Sequence, residues 1–306
     1  MICLFNKKEK AITDMKNEFL KYLLKNEPSS VISKRGIAVR KSISPLIRNV
    51  IAPMSSKNKY IIEKNKNLPN DRPLIFAATH GLKDDIACGI SATGRHAYLL
   101  FGSLPDFFGT IDGPSLWLNG VILVDRKNKQ SRWAAKPKMN YALRIGTNIL
   151  MFPEGTLNKT ENLIVQKLFP GVYDVAKQSG ALVVPVAIIQ EGNKVYAKVC
   201  DAFDITQYER QEGLDTLRDL MATAKYELME KYSRCSRADI GNAKEYWQNF
   251  LDDLVNQMLP FYDYEIENSS QYLDKTDLKH ITVKKQYKKL KLNKDNAFLF
   301  NKRNIL

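Results

Sequence analysis

A histidine and an aspartate five positions apart are the residues of this chain whose types and spacing best suit chemistry. His80 follows an apolar run at residues 74–79, and Asp85 stands at the start of a stretch with helical spacing. Five helical residues at about 100° each would leave the two side chains roughly 140° apart, so His80 should precede the helix. From the first helical turn Asp85 can hold one imidazole nitrogen, and the other nitrogen can then take a proton from a substrate.

Two neighbouring residues leave alternatives open. Asp84 also falls in the first helical turn, where carboxylates suit the positive end of the helix dipole, and it is a second candidate for the partner of His80. Cys88 could act as a nucleophile beside His80, but a small thiol inside the apolar segment 86–90 is more simply explained by core packing. The His-x-x-x-x-Asp spacing also arises by chance, so further motifs must decide its meaning.

Three further motifs follow the histidine–aspartate pair along the chain. Residues 120–126 read GVILVDR, residues 152–156 read FPEGT, and residues 183–188 read VVPVAI. In order and approximate spacing, the four motifs resemble those of the lysophosphatidate acyltransferase family, the glycerolipid acyltransferases. The resemblance covers roughly residues 70 to 200, and FPEGT is its most specific part.

The resemblance implies direct acyl transfer from a thioester to a hydroxyl group. A thiolate is already a good leaving group, whereas a hydroxyl is a poor nucleophile near neutral pH until a base takes its proton. In this family the His-x-x-x-x-Asp motif supplies that base. His80 is therefore the expected general base, and Asp85 is expected to fix its tautomer and stabilise the imidazolium. No acyl-enzyme intermediate is implied.

The other motifs imply contacts with the acceptor. Arg126 matches the basic residue of the second motif, and a guanidinium suits a phosphate because it can form two parallel hydrogen bonds. The alternative is that Arg126 belongs only to a solvated basic loop. Glu154, Gly155 and Thr156 match the family's Glu-Gly-Thr-Arg loop, in which glycine permits close backbone approach. Leu157 stands where that loop has arginine, which predicts a preference for an acceptor other than lysophosphatidate.

The resemblance thus predicts an O-acyltransferase of glycerophospholipid biosynthesis. The donor would be acyl-CoA or acyl-ACP, and the acceptor would be a lysophospholipid, either 1-acyl-glycerol-3-phosphate or a related lipid. The alternatives are the same chemistry on an acceptor without phosphate, such as an aminolipid or glycolipid, and a scaffold that binds lipid or carrier without catalysis. No bound cofactor, metal site or nucleic-acid partner is expected, because the four cysteines are scattered and the central region is not basic.

Positive charge is concentrated at the two ends of the chain. Residues 1–70 carry 15 Lys and Arg against 5 Asp and Glu, and residues 279–306 carry 9 against 1, whereas the middle carries 23 against 27. Basic flanks suit docking on an anionic membrane surface, although Lys-rich ends can also be merely solvated. Residues 39–51 mix apolar and cationic side chains as an interfacial helix would, with Pro45 breaking or kinking it. Packing of this helix on the protein core is the equal alternative.

The sequence predicts a cytoplasmic protein that is peripheral on the inner face of the cell membrane. No run of 18 apolar residues exists, and the apolar start of the chain is too short for a signal sequence. The cysteines show no paired spacing, which favours reduced thiols.

Short apolar runs alternate with helical pieces from residue 74 onwards. This pattern predicts an α/β fold with a mostly parallel central sheet and helices on both faces, extended by an N-terminal helical segment and a C-terminal helical extension. Strands are predicted at residues 74–79, 97–101, 121–124, 147–152, 182–189 and 195–200. Helices are predicted at residues 11–26, 83–92, 132–145, 171–179, 217–228 and 247–258.

Three regions follow from this pattern. Residues 1–65 form a basic amphipathic N-terminal helical segment, residues 66–235 an α/β acyltransferase domain, and residues 236–306 a helical extension with a basic tail. Within the middle region, His80, Arg126 and Glu154 should each lie just past the end of a strand, where α/β folds bind ligands.

Overall fold

The computed structural model describes most of the chain between residues 27 and 232. The described residues are 27–81, 83–102, 107, 112–126, 128–158 and 164–232, with isolated residues 10, 13, 14, 17, 18, 249 and 252. Apart from these isolated positions, the predicted helices at 11–26 and 247–258 and the basic tail lie outside the described residues.

The described elements alternate between strands and helices. The strands are β1 (Lys59–Glu63), β2 (Leu74–Ala78), β3 (Ala97–Phe101), β4 (Val121–Leu123), β5 (Asn148–Met151), β6 (Leu182–Glu191) and β7 (Lys194–Val199). The α-helices are α1 (Pro28–Val31), α2 (Lys34–Leu46), α3 (Ala52–Met54), α4 (Asp85–Ala92), α5 (Asp112–Asn119), α6 (Lys129–Arg144), α7 (Gly171–Ser179) and α8 (Arg210–Tyr232). A π-helical segment (Ile47–Ile51) joins α2 to α3, and a short 3₁₀ turn (Ile205–Gln207) precedes α8.

The strands described above form one sheet in the order β1-β7-β6-β2-β5-β3-β4. Strands β2 to β6 run parallel to one another. Strand β7 is antiparallel to β6, and β1 is parallel to β7. The α/β class with a mostly parallel sheet is therefore confirmed.

Helices cover both faces of the sheet, which explains why its central strands are continuously apolar. In β2 every residue is buried. Ile75 and Ala77 belong to the core beneath α6, α7 and α8. Leu74, Phe76 and Ala78 belong to the opposite core, beneath α4 and the π-helical segment.

Two helix ends follow directly from side-chain and backbone chemistry. Helix α6 begins three residues earlier than the predicted 132, because the Asn128 side chain accepts a hydrogen bond from the Ser131 backbone N–H at 3.1 Å. Helix α7 ends at Ser179, followed by Gly180 in the left-handed conformation with φ of 70°.

Two features of the N-terminal region bear on the sequence expectation. Pro45 lies in the last turn of α2, which ends at Leu46, and the chain continues into the π-helical segment. Strand β1 lies within the predicted helical region 1–65, yet it pairs with β7 from Lys59 to Glu63. Its five half-buried or exposed residues carry little periodic signal, because β1 is an edge strand that follows a basic helical stretch.

Candidate active site

Three strand ends bring the predicted site residues to one edge of the sheet. His80 lies two residues after β2, Arg126 three residues after β4, and Glu154 three residues after β5. These strands run parallel, so their carboxyl ends meet at the edge where α/β proteins usually bind ligands. Because β2 and β5 are hydrogen-bonded neighbours, His80 and Glu154 emerge side by side.

His80 and Asp85 are in direct contact. Nδ1 of His80 lies 3.2 Å from Oδ2 of Asp85, and the same oxygen accepts a hydrogen bond from the Gly81 backbone N–H at 2.5 Å. Asp85 is the first residue of α4, and 1% of its side chain is exposed, against 20% for His80. When the imidazole carries its proton on Nδ1, the Nε2 lone pair becomes the base.

Asp84 has different partners. Its Oδ2 accepts hydrogen bonds from Ser56 Oγ and from Asn58 Nδ2, the latter at 2.7 Å. Both donors lie between α3 and β1, so Asp84 ties the start of α4 to the N-terminal region. Of the two carboxylates weighed from the sequence, Asp85 is the one that contacts the imidazole.

Phe152 and Cys88 are the apolar residues that bear on the role of His80. The ring of Phe152 packs against the imidazole with the centroids 4.6 Å apart. Cys88 is fully buried within α4, and burial raises the pKa of its thiol well above the usual range. A thiol held in its neutral form is a poor nucleophile, so the geometry favours core packing for Cys88.

The loop that follows β5 holds both backbone groups of His80. Glu154 Oε1 accepts a hydrogen bond from the His80 backbone N–H at 2.8 Å, and Oε2 accepts one from the Gln166 backbone N–H at 2.8 Å. The backbone N–H of Asn158 donates to the His80 carbonyl at 2.7 Å. Glu154 is only 1% exposed. An acceptor contact through this carboxylate, as the resemblance implies, would have to replace one of its backbone hydrogen bonds.

The charge on Glu154 reflects a balance between burial and nearby donors. Burial raises the pKa of Glu154, while the positive charge of Lys225 and the two backbone N–H groups lower it. Lys225 lies on α8, in the predicted helix 217–228 to which the sequence assigns no chemistry. Nothing in that helical pattern distinguishes this lysine from a solvated polar position.

Arg126 follows β4, the last strand of the sheet, and reaches the same loop. Its Nη1 donates to the Gly155 carbonyl at 3.0 Å, and the residue stays partly exposed. A Cβ on Gly102, just after β3, would lie 2.9 Å from the Arg126 Cδ. Gly155 has a φ of 74°, and a Cβ there would lie 2.5 Å from the Phe169 ring. Glycine is therefore required at position 155 by conformation and by space.

Thr156 and Leu157 turn their side chains into the protein. Thr156 is buried, and its Oγ1 has no hydrogen-bond partner among the described residues. Leu157 is 4% exposed, and its carbonyl accepts a hydrogen bond from Gln166 Nε2 at 2.9 Å. The sequence treats position 157 as an acceptor contact, whereas the Leu157 side chain is buried in this structure. For the Thr156 side chain to contact an acceptor, the loop after β5 would have to change its conformation.

The N-terminal helices and α5 present one exposed apolar surface, here called the basic-apolar face. Arg40 links its two parts, because its Nη2 donates to the Trp117 carbonyl at 3.3 Å and its guanidinium lies over the Trp117 ring. The opposite side of these helices packs on the core through Ile37 and Ile47. The exposed apolar residues of this face are Val39, Leu46, Val50, Met54, Trp117 and Leu118, and the exposed lysines and arginine on α2 are Lys34, Arg35 and Lys41.

Neither a bilayer span nor a metal cluster is found in the part of the chain that the structure describes. Its helices are all too short or too polar to cross a membrane. No group of three or more His, Cys, Asp or Glu side chains in the described ranges is arranged to hold a metal ion.

Residues 59–189 match the Acyltransferase family model. Three curated relatives are 1-acyl-sn-glycerol-3-phosphate acyltransferases. The protein from Borreliella burgdorferi is 27% identical over 183 residues, covering 53% of this chain and 69% of the relative. The Chlamydomonas reinhardtii protein is 26% identical over 44% of this chain, and the chloroplastic Arabidopsis thaliana protein is 27% identical over 44% of this chain. The chain spans 39% and 37% of the length of these two relatives.

A solved structure is also similar in part. The crystal structure of the 1-acyl-sn-glycerophosphate acyltransferase from Thermotoga maritima aligns with a TM-score of 0.48 and 21% identity, over 66% of this chain and 83% of that one. The family match begins at the first residue of β1 and ends within β6, so it contains all four motifs and the strand ends that carry them. The resemblance seen in the motifs is confirmed by this family match over residues 59–189 and by the curated relatives, to which the chain is similar.

Proposed function

We propose that this chain transfers a fatty acyl group from a thioester to the hydroxyl of 1-acyl-glycerol-3-phosphate. The observation that carries the proposal is the contact between His80 and Asp85 at the carboxyl edge of the sheet. The acceptor is supported by the curated relatives, which are named as 1-acyl-sn-glycerol-3-phosphate acyltransferases.

The proposed reaction uses His80 first as a base and then as an acid. Nε2 takes the proton of the acceptor hydroxyl while its oxygen attacks the thioester carbonyl, and Asp85 stabilises the imidazolium that forms. The resulting tetrahedral oxyanion then collapses, the bond from carbon to sulfur breaks, and the leaving thiolate takes the proton from His80. The products are the new ester and a free thiol, without an acyl-enzyme.

Arg126 is the residue we assign to the acceptor phosphate. It lies at the same edge of the sheet as His80, is partly exposed, and is held in place by the Gly155 carbonyl. A guanidinium in a fixed orientation can pair with phosphate oxygens through parallel hydrogen bonds. Glu154, Gly155 and Thr156 then act by shaping the loop between Arg126 and His80.

The reaction is proposed to take place at a membrane surface on the cytoplasmic side. The basic-apolar face can bury its exposed apolar side chains among lipids while the exposed cations of α2 meet anionic head groups. The acyl donor is acyl-CoA or acyl-ACP.

A second candidate keeps the chemistry and changes the acceptor to an aminolipid or glycolipid. The observation that favours it is Leu157, which stands where the family's loop has arginine and whose buried side chain supplies no charge. Loss of one charge-assisted hydrogen bond to phosphate would cost about 1.5–3 kcal/mol of acceptor binding.

The test is acyl transfer by the purified protein. Thiol release is followed with acyl-CoA and with acyl-ACP, each with 1-acyl-glycerol-3-phosphate, with other lysophospholipids, with aminolipids or with no acceptor. The proposal expects thiol release that depends on the acceptor and the highest kcat/KM with 1-acyl-glycerol-3-phosphate. A higher kcat/KM with a phosphate-free acceptor would establish the second candidate, and no transfer with any pair would leave only a non-catalytic binding role.

A further inference from the structure

Lys225 occupies a position beside the candidate active site that no sequence motif marks. It lies on α8, which buries several apolar side chains, among them Leu217, Met221, Ala224 and Leu228. Its Nζ donates to the Ile164 carbonyl at 3.2 Å. A methyl group placed on Gly81, the residue after His80, would lie 3.7 Å from the same Nζ. The ammonium group therefore lies next to two loops, one after β2 and one after β5.

Glu154 bridges the same two loops. Its Oε1 binds the His80 backbone N–H, and its Oε2 binds the Gln166 backbone N–H. Gly81 follows the first of these residues by one position, and Ile164 precedes the second by two. The lysine and the carboxylate thus lie beside neighbouring stretches of the same two loops.

A fully buried carboxylate needs a compensating charge. Desolvation of an ionised carboxylate is costly, and an uncharged Glu154 would carry a proton that neither backbone N–H group can accept. The positive charge of Lys225 lowers the pKa of Glu154, and the charge of a protonated His80 acts in the same direction. His80 cannot supply the charge in the reactive state, because the base must be neutral.

We propose that Lys225 is a positioning residue for the general base: its ammonium group balances the buried Glu154 carboxylate, and Glu154 in turn fixes the backbone of His80. This inference rests on the proposed function only where it concerns turnover. The proposed electrostatic link between Lys225 and Glu154 concerns the fold alone and can be tested without any substrate.

The first experiment measures turnover in Lys225→Met and Lys225→Arg. Loss of the charge should let the His80 backbone shift, and a misplacement of the order of 1 Å can lower kcat on the order of 10- to 100-fold. KM for the acceptor should stay within about twofold, since Lys225 does not touch it under this proposal. Lys225→Arg keeps the charge and should recover most of kcat. The matched control is Lys231→Met, which removes a lysine of the same helix that pairs with Glu63 at the surface.

The second experiment measures thermal unfolding between pH 5 and pH 8. Removing Lys225 should raise the pKa of Glu154 in the folded state further above its pKa in the unfolded state. At pH values between these two pKa values, the folded state then binds one more proton than the unfolded state. Stability of Lys225→Met relative to wild type should therefore fall as pH rises. The same substitution made in a Glu154→Gln background should lose this pH dependence.

Three results would overturn the inference. A raised acceptor KM with unchanged kcat in Lys225→Met would make the lysine an acceptor contact. An equal pH dependence in the Glu154→Gln background would show that Lys225 acts on another group. An equal loss of stability in Lys225→Met at every pH would show that Lys225 does not act on the charge of Glu154. This comparison requires only the single variant and wild type. If wild type transfers no acyl group, the proposed function fails, and the unfolding measurements still decide whether Lys225 balances Glu154.

Discussion

Glu154 accepts a hydrogen bond from the backbone N–H of His80, although 74 positions separate the two residues in the chain. The contact exists because β2 and β5 are parallel neighbours and both loops leave the same edge of the sheet. The acidic residue of the FPEGT motif is thereby bound to the proposed base rather than presented to solvent.

Substitution of Glu154 by glutamine should impair catalysis and stability together. A glutamine offers one carbonyl oxygen and one amino group to two backbone N–H donors, so one hydrogen bond is lost and one donor is left buried without a partner. We expect unfolding free energy to fall by about 1–3 kcal/mol and kcat to fall on the order of tenfold or more. Chemical denaturation and steady-state kinetics measure the two effects. Unchanged kcat in a folded Glu154→Gln protein would remove this residue from the positioning of His80.

Leu157→Arg should destabilise the protein without improving the use of lysophosphatidate. The leucine side chain is buried, and an arginine there would bring an unpaired charge into the protein interior. We expect a loss of at least about 2 kcal/mol in unfolding free energy, whereas Leu157→Met should cost less than about 1.5 kcal/mol. Denaturant titration of both variants is the measurement. A stable Leu157→Arg protein with raised kcat/KM for lysophosphatidate would show that the loop can present this side chain to the acceptor.

His96 should make the fold sensitive to acid. Its Nε2 lies 2.9 Å from the Asn119 carbonyl and its Nδ1 lies 2.8 Å from Thr147 Oγ1, an arrangement that suits the neutral ring. Burial lowers the pKa of His96 to about 4. The unfolded state therefore binds a proton between about pH 6.5 and pH 4 that the folded state does not, and stability falls as pH falls through this window by up to about 3 kcal/mol.

The control for this acid sensitivity is His96→Gln, which keeps one donor and one acceptor but does not titrate. Denaturation curves at several pH values should show a weaker fall in stability for the variant than for wild type. Parallel curves for the two proteins would contradict the assignment to His96.

Membrane binding should depend on the basic-apolar face and on salt. Met54 is the most exposed apolar residue of that face, and burying such a side chain in lipid contributes about 1.5–3 kcal/mol. We expect Met54→Glu to weaken binding to anionic vesicles roughly tenfold or more, and added salt to weaken wild-type binding. The matched control is Met229→Glu, an exposed methionine on α8. Equal binding to neutral and anionic vesicles in co-sedimentation, or an equal loss in the control, would count against this surface.

The parts of the fold that the sequence predicts are those with a strong local signal. Strand β2 is recognisable because both of its faces are buried, so five consecutive residues are apolar. The end of α7 is recognisable because Gly180 is the residue type that favours the left-handed conformation. Strand β1 has neither signal, because it is short, lies at the edge of the sheet and takes its conformation from pairing with β7.

The contacts of the site also divide into those that the local sequence predicts and those that depend on the fold. The pairing of His80 with Asp85 depends on five neighbouring positions and can be inferred from their spacing. The contacts of Glu154 depend on which strands are neighbours in the sheet, and the position of Lys225 depends on how α8 packs against β6. Neither relationship is encoded locally, so the sequence assigns Glu154 to the acceptor and assigns nothing to Lys225.

The central claim is that His80 is the general base, oriented by Asp85. The most direct test is thiol release from an acyl thioester with lysophosphatidate, measured for wild type, His80→Ala and Asp85→Asn after circular dichroism has shown that each protein is folded. We predict that both substitutions lower kcat on the order of a hundredfold or more, because base catalysis of this kind contributes about 10²–10⁴-fold. A folded His80→Ala protein that retains near wild-type turnover would contradict the account.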